Sequence, residues 1–367
     1  MPQENPPMST SSGERNIVII GAGIIGCTAA YYISHHPSFS SNTRVTIIEA
    51  SKRGVAQGAS GKAGGLVAAW AYPEELVSIS FPEHERLAEM YDGANRWGFS
   101  VMAPAGQTAQ VHPYLFTTSM FKFAKEKGVE FIAGKATSLN IDPSSKSVTG
   151  VTYIDNESQT EKTIPATQII LAAGVWSPKL IPSLPISGTR AHSITLRFNP
   201  PKVFAPHVLF TEITMPIIPS LTSPSSPYSP PSNTVRVASP EIYPRPTNEV
   251  YVCGPGDNPP IPETVDDVIV EPRLCENARE QVASISNELR EGTIARRQAC
   301  FLPVVTKGGG PIIGEAETIA KGLIIATGHT CWGISNAPGT GKLLAELVMD
   351  GEITSADLKK LAPSKFI

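Results

Sequence analysis

The chain has 367 residues, 41 % of them hydrophobic and 17 % charged, with a formal net charge of −3. That length supports two domains or one elaborate domain, and the absence of a basic tract argues against nucleic acid or an anionic membrane surface as the main partner, a small neutral or anionic ligand fitting better. Five cysteines, Cys27, Cys253, Cys275, Cys300 and Cys331, are scattered without a Cys-x-x-Cys pair; this opposes a disulfide framework and a structural zinc and favours a reducing, cytoplasmic compartment, with a peripheral association with endomembranes left open.

Residues 1–14, MPQENPPMSTSSGE, lack the features of a secretory signal or a mitochondrial presequence and read as a disordered tail. "NIVIIGAGIIGCTAAYYI" then reads as a strand from Ile17 to Ile20, a turn and a helix. Its most apolar part is interrupted by glycines and is better explained as buried strand and helix than as a membrane span. Gly21, Gly23 and Gly26 form GxGxxG: the first permits the tight turn, the second lets backbone approach a pyrophosphate, and the third lets helix pack on strand. Ile24 and Ile25 open the helix, whose unpaired amides and dipole face the phosphates. A second strand, "RVTIIEA", ends at Glu49 and Ala50, where the carboxylate is placed to accept hydrogen bonds from a ribose diol. Strand, motif, helix, strand and acid in that order predict a dinucleotide, either NAD or FAD.

The run "GASGKAGGL", Gly58 to Leu66, favours FAD. A longer ligand needs a second segment against its pyrophosphate and ribityl chain, with side chains small enough for backbone contact. Ala59, Ser60, Ala63, Gly64, Gly65 and Leu66 are candidates, Ser60 as a hydroxyl donor to phosphate. Further on, "PEHERLAEMYDGANRW" predicts a helix with a solvated charged face. Runs such as "AHSITLRF", "HVLFTEI" and "EVYVCG" predict strands, followed by a helix from about Arg273 to Arg290. Residues 219–234 are rich in Pro and Ser and predict a surface loop. "GLIIATG" predicts a strand and Asn336 to Met349 a helix, with Pro338 near its first turn and Gly351 beyond its end. "APGTGK" is not a phosphate loop, because Asn336 replaces the first glycine and Leu343 follows the lysine.

GAGIIG, Glu49 and GASGKAGGL together resemble the D-amino-acid-oxidase-like family of FAD-dependent oxidoreductases, which includes glycine and sarcosine oxidases, and within it a fungal branch. The resemblance implies an α/β architecture: a Rossmann-type FAD/NAD(P)-binding domain with an inserted antiparallel α+β substrate domain. Residues 15–70, 107–186 and 310–355 would form the first, and 71–106 and 187–309 the second, shortened near 99–106 where relatives carry more cavity wall. It places Ala136 and Thr137 on the adenine side and Ala173, Gly174 and Trp176 over the pyrophosphate. His329, Thr330, Cys331, Trp332, Gly333, Ile334 and Ser335 would contact the flavin edge. Cys300 lies close to where some relatives attach flavin covalently. Amino-acid oxidases of the family hold the substrate carboxylate with an arginine, and here Leu302 stands where that arginine is sought. Arg296 and Arg297 precede it, and strand alternation would turn only one of them inward.

The resemblance implies oxidation of an amine or amino-acid-like substrate by hydride transfer to FAD. No second GxGxxG occurs, which disfavours a separate NAD(P)H domain and leaves oxygen, a quinone or a protein as acceptor. The missing arginine and shortened wall keep a second reading open, an FAD-binding, weakly catalytic or non-catalytic protein with an interaction role such as intracellular trafficking.

Overall fold

The computed structural model describes residues 14–102, 107–216, 235–246 and 248–367; the expected tail and Pro/Ser-rich loop lie essentially outside them. Strands β1 (Arg15–Ile20) and β2 (Thr43–Glu49) pair in parallel, with Ile17 opposite Val45 and Ile20 opposite Ile48. Helix α1 (Ile24–Ser34) connects them. β9 (Gln168–Leu171) lies parallel on the other side of β1, followed by β18 (Leu323–Thr327) and, antiparallel at the edge, β17 (Ile312–Glu315). Their near-continuous Ile, Val and Leu content suits strands covered on both faces.

Beyond β2, the long β6 (Glu130–Ile141) serves two sheets' worth of pairing. Its first residues run parallel to β2, and from Gly134 onward it joins an antiparallel meander with β7 (Val148–Asp155) and β8 (Glu161–Pro165). The result is one eight-stranded sheet in the order β17-β18-β9-β1-β2-β6-β7-β8. Its strands come from residues 15–49, 130–171 and 312–327.

Helices α3 (Glu74–Tyr91), α5 (Pro113–Glu126) and α8 (Gly333–Asp350) cover the same face of the sheet as α1. The charged helix α3 presents the expected solvated face through exposed Glu85, Arg86 and Glu89, and buries its other side. Leu76, Phe81 and Leu87 are buried in the same core as α1, and Glu83 and His84 are buried with them. Glu83 accepts from Tyr32 Oη at 2.8 Å and pairs with Arg86 and Lys342; these partners stabilise its charge under partial burial. The short helices α2 (Ala59–Lys62) and α4 (Gly93–Trp97) flank a three-stranded sheet of β3 (Leu66–Ala68), β5 (Thr108–Gln110) and β4 (Ser100–Met102).

The second layer is a five-stranded antiparallel sheet in the order β11-β14-β15-β10-β16. These are β10 (Ile186–Arg197), β11 (Leu209–Phe210), β14 (Glu241–Arg245), β15 (Glu249–Cys253) and β16 (Thr293–Val305). One face carries Ile194, Leu196, Ile242, Val250 and Val252, packed on Cys275, Ala278 and Val282 of α6 (Pro272–Ile285). "HVLFTEI" does not form one strand. It divides into β11 and β12 (Ile213–Pro216), which pairs with β13 (Val235–Ala238) in a separate ribbon. The helix expected over Arg273–Arg290 also divides: Ser286 is extended and its hydroxyl accepts the Leu289 amide, starting α7 (Asn287–Glu291), so a good N-cap residue outcompeted helix continuation.

Candidate active site

A cleft of about 720 Å³ runs between the two layers, from the turn after β1 to the start of α8. Its floor follows from glycine geometry. Gly21 has φ +108° and a side chain there would meet Ala172 O at 2.5 Å; one at Gly26 would meet Gly21 O at 2.0 Å. Gly23 is extended at the α1 N-cap and brings no capping side chain. Instead the Ile24 amide donates to Ser60 Oγ at 2.8 Å, so α2 is fastened to the helix start where an anion is favoured.

Glu49 is buried with both oxygens engaged, Oε2 by the Ala22 amide at 2.7 Å and Oε1 by the Ser51 amide at 2.8 Å. Burial raises its pKa, opposed by those backbone hydrogen bonds. The carboxylate thus shapes the loops at this end while lining the cleft.

The small-residue run has a different physical explanation from the one its composition invites. A side chain at Gly61 would meet Ala56 O at 1.9 Å, one at Gly64 the Tyr243 ring at 2.8 Å, and one at Gly65, with φ +95°, Val111 O at 1.9 Å. Protein neighbours, not open ligand space, exclude side chains at these three positions. Gly65 and Leu66 do not line the cleft, nor do Gly26, Trp332 and Ser335. Gly26 is occupied with helix–strand packing, Leu66 pairs with Gln110, Trp332 packs edge-on against Trp70, and Ser335 Oγ accepts the Ala68 amide. The cleft is lined by Gly21, Gly23, Ile24, Ile25, Glu49, Ala50, Ala59, Ser60, Ala63 and Gly64, with Ala136, Thr137, Ala173, Gly174 and Trp176 and, at the far end, His329, Thr330, Cys331, Gly333 and Ile334.

The far end is built by α8, which begins at Gly333, three residues before the predicted start. Pro338 lies inside this helix and cannot donate to the Ile334 carbonyl. His84 Nε2 lies 3.0 Å from that oxygen and supplies the donor. Gly339 and Gly341, the glycines of the false phosphate loop, let α8 press on its neighbours: side chains there would meet Ser80 Oγ at 2.3 Å and Thr28 backbone at 2.8 Å. His329 is buried, with Nε2 3.1 Å from Thr340 Oγ1, and burial pushes its pKa down to about 3.

The polar face of the second sheet forms the opposite wall. Ala191, Glu241, Tyr251, Cys253, Cys300 and Leu302 line the cleft. Arg296 and Arg297 do not; both are exposed, and Arg297 pairs with Glu276. Burial pushes the Cys300 thiol up to about 11, against the pull of nearby Lys62. Sequence reasoning found β15 in "EVYVCG" but missed its hairpin partner β14, "EIYPR", because Pro244 within that run obscured the alternation. It also missed the segment 262–267, which closes over the other end. Trp176 Nε1 donates to Pro262 O at 3.0 Å, Lys135 and Lys179 both pair with Glu263, and Asp266 accepts from Ser51 Oγ at 2.7 Å and Arg53 Nε at 3.0 Å.

A family model described as FAD dependent oxidoreductase matches residues 16–106 and 104–347. The chain belongs to this family. It is 33 % identical to "Putative oxidoreductase C1F5.03c" of Schizosaccharomyces pombe, over 96 % of this chain and 98 % of that one. It is 30 % identical to "Putative oxidoreductase TDA3" of Saccharomyces cerevisiae over 533 aligned positions, covering 100 % of this chain and 97 % of the relative. Since 533 positions exceed the 367 residues here, that family member carries segments this chain lacks. Among solved structures, glycine oxidase from Geobacillus kaustophilus superimposes with a TM-score of 0.71 at 16 % identity, over 96 % of this chain and all of that one. The family's cofactor is FAD, and the cleft suits it: a side-chain-free approach at Gly21 and Gly23, a helix start whose N-cap residue brings no side chain, and a continuous path from there to α8. Among the described residues, no helix is long and apolar enough to cross a membrane.

Proposed function

We propose that this family member oxidises an amine at a carbon bonded to nitrogen. The observation that carries this reading is the far end of the cleft, where the α8 start faces a wall of Tyr251, Cys253, Cys300 and Leu302 across open space. When bound, FAD supplies a two-electron acceptor for hydride. Gly21, Gly23, Ile24 and Ser60 would hold its pyrophosphate, Glu49 its adenosine ribose, and His329, Thr330, Cys331, Gly333 and Ile334 the edge of its ring. The positive end of the α8 dipole favours negative charge developing there.

An amine needs little help from a protein base, because its nitrogen lone pair assists hydride departure. His329 matches that requirement. Its Nε2 is engaged by Thr340 and its basicity is suppressed by burial, so it orients the α8 turn and does not take a substrate proton near neutral pH. Solved structures of similar fold are named glycine oxidase and L-proline dehydrogenase, and both named substrates are amines. The test is anaerobic mixing of the purified yellow protein with a panel of primary and secondary amines. Loss of the visible flavin bands is expected with at least one class; a full panel without bleaching would overturn the reading and favour the non-catalytic alternative.

A further inference from the structure

The wall facing α8 has an uneven charge. Strand pairing brings Glu241 opposite Cys253 and Tyr243 opposite Tyr251 on one face of the second sheet, and Glu241 lines the cleft with Tyr251 and Cys253, while Leu302 lines it from β16, three strands away. Tyr243 Oη donates to Glu241 Oε2 at 2.5 Å and Cys253 Sγ to the same oxygen at 3.6 Å. Burial and the neighbouring carboxylate push the Tyr243 phenol and the Cys253 thiol upward, so both remain neutral donors and the group as a whole carries one negative charge.

Among the described residues, no cationic side chain lines the cleft at that end. Lys135 and Lys179, the basic residues lining the cleft among those described, are both paired with Glu263 under the 262–267 segment. Arg245 is buried against Glu249 at 2.5 Å and donates to Ala63 O at 3.2 Å without lining the cleft. Lys62 donates to Ala299 O at 2.9 Å and also lies outside the lining. Arg296 and Arg297 are exposed, and Leu302 occupies the wall with an aliphatic side chain. A substrate carboxylate entering here would meet Glu241 with no counter-cation, in a partly desolvated cleft where like charges repel strongly. An ammonium would meet a carboxylate, which is attractive to cations.

We propose that Glu241 is the specificity-determining residue of the cleft and that the substrate is an amine lacking a carboxylate, which docks as the ammonium and releases its proton to solvent before the free amine, its lone pair restored, is oxidised. This rests on the amine-oxidation reading and narrows it from amino acids to alkyl- or arylalkylamines and diamines. The test uses the FAD-loaded protein under anaerobic rapid mixing with pairs that differ only by a carboxylate: benzylamine against phenylglycine, and putrescine against ornithine. Apparent dissociation constants come from the concentration dependence of the flavin spectral change, and bleaching is followed separately. The carboxylate-free partner should bind about tenfold more tightly or better, the scale of one charge-assisted hydrogen bond. Glu241→Gln should remove about that factor for the amine, and Leu302→Arg should shift preference toward phenylglycine and ornithine. Equal or tighter binding of the carboxylate-bearing partners, binding of neither member of any pair, or an unchanged preference in both variants would overturn the proposal. Preferential amine binding with no bleaching would instead sink the amine-oxidation reading while leaving the charge selectivity in place.

Discussion

Gly65 and Gly23 look alike in the sequence and differ in what they accomplish. At Gly65 the backbone has φ +95° and Val111 O would sit 1.9 Å from an added Cβ, while the Gly65 carbonyl accepts the Val111 amide at 2.9 Å. Neither partner can retreat, so Gly65→Ala should cost roughly 2–4 kcal/mol of stability whether or not FAD is present. At Gly23 φ is −74° and an added Cβ would meet only the Ser60 hydroxyl at 3.0 Å, a group that can rotate. Gly23→Ala should therefore leave the melting temperature of the cofactor-free protein within a few degrees and reduce FAD retention, because its methyl projects toward the α1 start. Thermal melts with and without added FAD measure both. If Gly65→Ala melts like the parent, the packing account of the small-residue run fails.

At the scale of elements, the segment 262–267 acts as a clasp between layers. Thr264 caps its short 3-10 turn, Asp266 holds residues 51–53, and Glu263 joins β6 through Lys135 to the turn after β9 through Lys179. Glu263, Thr264 and Val265 line the end of the cleft where Glu49 lies. The contacts are largely exposed, and ion pairs of that kind contribute about 0.2–1 kcal/mol each. Glu263→Ala combined with Asp266→Ala should accordingly speed FAD release by several-fold, more strongly at low than at high salt. Fluorescence of released flavin gives the rate; an unchanged rate would show that the segment only decorates the cleft.

For the molecule as a whole, two fully buried histidines tie stability to pH. Burial pushes His84 down to about 4 and His329 to about 3, against about 6.5 for an unfolded histidine. Between those values the unfolded chain binds more protons than the folded one, so stability is lost as pH falls below about 6.5. Each histidine contributes a slope of up to roughly 1.4 kcal/mol per pH unit until its folded value is reached. The midpoint of unfolding, followed from pH 7.5 to 4.5, should be steady at the upper end and decline steeply below 6.5. A flat profile down to 4.5 would contradict the neutral, hydrogen-bonded state assigned to both rings.

The dinucleotide turn and the family were legible in the residues because local rules govern the motif that carries them. Glycines at fixed offsets, an apolar strand before them and an acid after the next strand act within about 30 residues of one another. The burial of Glu83 within the otherwise solvated charged face of α3 was not legible, because Tyr32, Arg86 and Lys342 neutralise it only after α1, α3 and α8 have packed. The same holds for the second wall of the cleft. Glu241 and Leu302 lie 61 positions apart in the chain and reach one surface only through the antiparallel order β14-β15-β10-β16. Sequence by itself determined that a flavin-binding cleft would form, since backbone conformation is a local property. Which charges face that cleft was decided by tertiary pairing, since it depends on register between strands that the chain order does not place side by side.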